Sequence, residues 1–133
     1  MRRLAVLVLV CAMAGVPVSA HHSAAAAYDA DRTITLTGTV SEFLWRNPHC
    51  FLYLDVDAGP NKGRRYVVEM SSLGVLSSEG WTRATVKAGD KVRITVMPSR
   101  SGTAAGLCRN CDLRINGRDE HASSTVEFAR PGR

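Results

Sequence analysis

After residue 20 the chain has no apolar run approaching the roughly 20 residues that a membrane-spanning helix needs, so no stable membrane insertion is expected beyond that point. It also lacks a glycine-rich phosphate loop, a Ser/His/Asp set in a recognisable context, and a carboxylate pair spaced for acid and base work. A non-enzymatic role therefore ranks above an enzymatic one. Aromatic residues are scarce, with two Trp, three Tyr and three Phe in 133 residues, which leaves little for an extended polysaccharide-binding surface. There is no internal repeat. The net charge of +5 is small and spread along the chain, so nothing in it calls for a nucleic-acid partner.

What is present begins with residues 1–20, MRRLAVLVLVCAMAGVPVSA, which combine two arginines, an apolar run and a Val-Ser-Ala end. Small residues at −3 and −1 mark a cut after Ala20, and the segment reads as a secretory signal peptide. Cys11 does not make it a lipoprotein leader, because Val10 is branched where a small residue is needed. Cleavage leaves 113 residues with a net charge of +3, enough for one domain in the periplasm or outside the cell.

The mature chain divides by pattern. Residues 21–32 (HHSAAAAYDADR) show no strand alternation and read as an N-terminal arm, extended or with one loose turn. From Thr33 the alternation of Ile34, Leu36 and Val40 with threonines gives a half-buried strand. Gly38 marks a bulge or tight bend in it, and the apolar parity shifts through Phe43, Leu44 and Trp45. Asn47-Pro48 is a turn. A second strand comes next, with Cys50, Leu52, Leu54 and Val56 on one face and His49, Phe51, Tyr53 and Asp55 on the other. RRYVVEM is a third strand after the polar loop AGPNKG, SSLGVLSSEGW holds a turn or two of helix, and KVRITVM is a fourth strand. Residues 107–115 (LCRNCDLRI) alternate once more and read as a fifth.

Five short strands with one small helical connector predict an all-β fold, a five-stranded OB-like barrel over residues 33–117. A small β-sandwich is the alternative. Residues 118–133 are polar and basic, a loosely held tail with Val126 and Phe128 as its only apolar anchors.

Several stretches together carry a family resemblance: HHS at residues 21–23, TLTGTV, WRNPHC, GWTR, and KAGDKVRITV before a Ser-Gly turn. In this order they resemble a family of small exported bacterial proteins known only as a domain of unknown function. Its members open with His-His-Ser and carry a Trp-x-Asn-Pro-His turn. The resemblance spans about residues 21–117 and implies a secreted OB-like barrel. It draws attention to His21, His22, Ser23, Trp45, Asn47, Pro48, His49, Gly80, Trp81, Gly89 and Asp90, and it brings no activity with it. Cys50, the Cys108-Arg-Asn-Cys111 stretch and the basic tail depart from the family pattern.

An N-terminal histidine offers an amine and an imidazole nitrogen that chelate a metal in one ring. A further imidazole completes a T-shaped three-nitrogen set, which favours Cu(II). His21 supplies the chelate, and His22 and His49 are the candidate further ligands. The amine, with pKa about 8, and the imidazole, about 6.5, must lose protons, so binding weakens as pH falls. The arrangement is similar to the histidine brace of copper monooxygenases and some periplasmic copper carriers, and the likeness stops at the ligands. The plainer reading is a polar mature start, with His49 hydrogen-bonded to backbone.

Three cysteines remain after cleavage, an odd number for an exported chain. On a regular strand, Cys108 and Cys111 point to opposite faces and cannot share a metal without a turn. Zinc would need Cys50 and His49 as complement and is disfavoured. Cys50 and Cys111 fall on apolar faces and suit buried thiols or a disulfide, which leaves Cys108 exposed.

Two functions emerge as expectations. The first is a Cu(II)-binding carrier or accessory protein using His21, His22 and His49. The second is a metal-free OB-like module that recognises a protein, an oligosaccharide or a small anionic ligand through a face containing Trp45, Phe51, Tyr53 and Arg64.

Overall fold

The computed structural model describes residues 24–122. A single helical turn, α1 (Ala24–Ala27), leads into β1 (Ile34–Leu44), β2 (Phe51–Ala58) and β3 (Arg65–Glu69). Helix α2 (Leu73–Ser78) then precedes β4 (Lys91–Pro98), β5 (Ala105–Leu107), β6 (Cys111–Ile115) and β7 (Arg118–Ala122). Alternation produced the strands as expected: Leu52, Leu54, Val68, Val92, Ile94 and Val96 point inward and are almost wholly buried.

The sheet closes on itself in the order β1-β2-β3-β5-β4, with β4 returning to β1. All pairings are antiparallel except β3 with β5. That is a small closed all-β barrel with the strand order of an OB fold. β1 can serve both edges of the closure because it bends. Gly38 allows β2 to approach so closely that an added Cβ would lie 2.2 Å from the Asp55 carbonyl oxygen. Ser41 is an extra residue at a register shift between Val40 and Glu42, and past it Phe43 rather than Leu44 continues the inner face.

One end of the barrel is covered by α2 and the turn that leads out of it. Ser72 caps the helix by accepting the Val75 N–H, Leu76 is buried, and Gly80 turns the chain at a φ of 86°. Trp81 then enters the core at 3% exposure, with its ring 6.1 Å from that of Phe43.

Expectations at the C-terminal end are corrected. Residues 107–115 are not one strand, since the chain leaves the ladder between β5 and β6 at a turn where Asn110 takes a φ of 45°. The opposite-faces rule holds only within a continuous strand, and the turn lets Cys108 and Cys111 form a disulfide. Both are buried, so Cys108 is not the exposed cysteine, while Cys50 is the buried thiol that its apolar face suggested. Beyond residue 117, the chain forms β7 against β6. Asn116 and Gly117, at φ of 51° and 81°, make the two-residue hairpin turn that an Asn-Gly pair favours. Among the described residues, no helix is long and apolar enough to cross a membrane.

Candidate functional site

The turn between β1 and β2 carries Trp45, Arg46, Asn47, Pro48 and His49, with a cis peptide bond before Pro48. Directly after it the β2–β3 ladder begins. The Cys50 N–H donates to the Ser71 carbonyl at 3.1 Å and the Met70 N–H to the Cys50 carbonyl at 2.9 Å. His49 therefore sits at the mouth of the β2–β3 pair. Glu69 lies across from Phe51, and strand parity turns it outward while Val68 and Met70 go into the core. His49 Nδ1 donates to Glu69 Oε1. The other oxygen, Oε2, accepts the Tyr28 hydroxyl at 2.8 Å.

Tyr28 belongs to the N-terminal arm, so the arm returns to the turn. Backbone bonds hold it there. The Asp29 N–H reaches the Pro98 carbonyl at 2.9 Å, the Arg100 N–H reaches the Ala27 carbonyl at 3.0 Å, and Tyr28 bridges to Ser99. The Arg100 guanidinium lies 3.6 Å from the Asp29 carboxylate. Burial, and then the hydrogen bond and negative charge of Glu69, push the Tyr28 phenol far above its ordinary pKa, so it stays a neutral donor. The Glu69 backbone is fixed as well, because its carbonyl accepts the Cys108 N–H at 2.8 Å.

A carboxylate only accepts hydrogen bonds, so the proton of the neutral ring lies on Nδ1 and the lone pair on Nε2. The His49 side chain is 43% exposed and that of Glu69 19%. The arrangement is a carboxylate orienting a partly exposed imidazole, the pairing that commonly backs a metal-bound histidine. His21 and His22 lie outside the described residues. Among the described residues, no three His, Cys, Asp or Glu side chains cluster to hold a metal.

The four residues of the expected binding face are divided. Phe51 and Tyr53 share the outer face of β2, both half-buried. Trp45 packs with Phe43 against the core, ring to ring at 5.8 Å. Arg64 lies at the far end of the β2–β3 hairpin, 5.3 Å over the Tyr66 ring, and donates to the Gly102 carbonyl.

The other motif residues have structural duties. Gly80 and Gly89 take positive φ, Trp81 fills the core, and Asp90 accepts from the Lys87 N–H and the Asn116 amide. Those two bonds, the Asn116 one foremost, hold the Asp90 carboxyl below the usual range. His49 differs in being half exposed on its carboxylate. Sequence reasoning missed Glu69 and Tyr28. An acid in RYVVE on the parity of Val67 was a faint signal for the first, whereas the Tyr28 contact, spanning 41 residues, left no local trace.

No curated protein and no solved structure matches this chain. One family model does, over residues 8–110, a span that takes in the arm, the Asn-Pro-His turn, Glu69 and the barrel up to the cysteine turn. The chain therefore belongs to DUF6152, a family of unknown function.

Proposed function

We propose that the protein is an exported carrier or accessory protein that binds one Cu(II) ion through the amine and imidazole of His21 and the Nε2 of His49, with His22 as a further donor. The observation that supports this reading is the Glu69 carboxylate, which takes His49 Nδ1 on one oxygen and the arm's Tyr28 on the other. His22 is six residues from Tyr28 in sequence, and a segment of that length can span at most about 20 Å. A nitrogen-rich, tetragonal donor set selects Cu(II) among the divalent first-row ions.

The test is a competitive Cu(II) titration with EPR on protein whose start at His21 is verified by mass spectrometry. One variant carries an alanine before His21 and another is His49→Ala. The expected result is one-to-one binding that falls at least tenfold in each variant, with the EPR parameters of a three-nitrogen site in the wild type. An affinity equal to that of a free His-His-Ser peptide would sink the reading.

A further inference from the structure

This inference rests on the copper reading and extends it to how the site is assembled. We infer that Glu69 is a two-sided clamp and Tyr28 its arm-side positioning residue, so that docking of the arm and the aim of His49 Nε2 are one coupled event. Three observations carry this. The Glu69 carboxylate engages one donor per oxygen, Tyr28 from residues before the barrel and His49 from the β1–β2 turn. Its side chain is only 19% exposed, so an oxygen deprived of its donor is poorly compensated by water. Its strand cannot shift to find another partner, because Glu69 is paired with Phe51 on one side and with Leu107 on the other.

The consequence is positive coupling. With Tyr28 engaged, the carboxylate stays turned toward His49 and holds its ring in one tautomer and one direction. With Tyr28 absent, Oε2 has to seek water, the carboxylate rotates, and both the arm and the imidazole gain freedom. Tyr28 touches no metal in this scheme. It sets the geometry that the ligands use.

Two substitutions separate the clamp from ordinary packing. Tyr28→Phe keeps the ring and deletes only the hydroxyl. Glu69→Gln keeps the side-chain shape but offers one acceptor oxygen where the carboxylate offers two, so it cannot serve both donors. In metal-free protein, amide exchange at Asp29 and Arg100 reports arm docking, and the ¹⁵N shifts of the His49 ring report its tautomer. The clamp requires Tyr28→Phe to speed both amides and broaden or move the ring signals, and Glu69→Gln to disturb both readouts. Far-UV circular dichroism confirms that each variant is folded.

With Cu(II) added to full-length mature protein, Glu69→Gln should lower affinity about 10- to 100-fold, the usual range for an outer-shell partner of a metal ligand, and Tyr28→Phe, which acts through Glu69, should lower it by a smaller factor in the same direction. Unchanged amide exchange and an unchanged ring in Tyr28→Phe would overturn the clamp whatever copper does. A loosened arm with undiminished tight copper binding would overturn the coupling. If the wild type binds copper no better than the free peptide, the copper reading fails, and the metal-free readouts still decide the clamp.

Discussion

Two glycines show how tightly single positions are set, for different reasons. An added Cβ at Gly38 meets the Asp55 backbone, which has nowhere to go, whereas at Gly106 it meets Val96 Cγ2 at 2.5 Å. Each Gly→Ala change should destabilise the protein, by about 1–3 kcal/mol or more. Only the second should be relieved by a partner change. In urea unfolding, Gly106→Ala with Val96→Ala should be more stable than the two single losses added together, giving a favourable coupling of about 1 kcal/mol. Asp90 is set by hydrogen bonds instead, and its lowered pKa makes its contribution depend on pH. Linkage gives the sign: a carboxyl depressed in the folded state stabilises above its unfolded pKa, near 4, and that stabilisation is lost as pH falls through the folded value. Asp90→Asn should therefore cost about 0.5–1 kcal/mol at pH 7. The gap between the two urea midpoints should narrow steadily below pH 4.

Among the elements, the cysteine turn determines how the last third of the barrel is built. β4 pairs with β5 at Met97 and Pro98 and with β6 from Val92 to Ile94, and the disulfide spans the break between the two partners. A loop this short gives a modest entropic gain, so replacing both cysteines by serine should cost about 2 kcal/mol from chain entropy alone. Burying two hydroxyls adds to that cost. The checks are thermal unfolding and amide exchange at Cys108, whose N–H bonds to Glu69, and the exchange should quicken more than that of β1. The same region shows why some elements were legible and others not. The first four strands could be read because each has one wet and one dry face. The polarity pattern of LCRNCDLRI runs through a turn in the backbone with Arg109 as its one break, so alternation predicted a strand where a disulfide closes a loop. β7, with the sequence RDEHA, has no apolar face to read; Asn116-Gly117 was its available signal.

In the molecule as a whole, barrel closure was legible and the site was only half so. Strand number, the bend at Gly38 and the helical connector lead to an OB-like order. His49 could be singled out from its turn. Its carboxylate could not, because Glu69 becomes meaningful only when β2 and β3 align in register and the arm is laid across the end of β4. The four residues of the expected binding face are spread over the barrel for a similar reason. The bulge at Ser41 sends Trp45 toward the core, and hairpin length carries Arg64 to the opposite end.

The return of β4 to β1 has a consequence for how the chain reaches this state. Thr35 and Thr95 face each other across that seam from 60 residues apart, so the first strand stays half-paired until nearly the whole barrel has been synthesised. Long-range pairing of this kind makes folding slow, on the order of milliseconds to seconds. Under the export reading, a chain sent through a translocation channel in an unfolded form gains from that delay, because the seam cannot zip before the fourth strand arrives. The cysteine loop, by contrast, closes over a few residues and needs only an oxidising compartment to form. The architecture thus places its longest-range step at the seam and its short-range covalent step at the strand break.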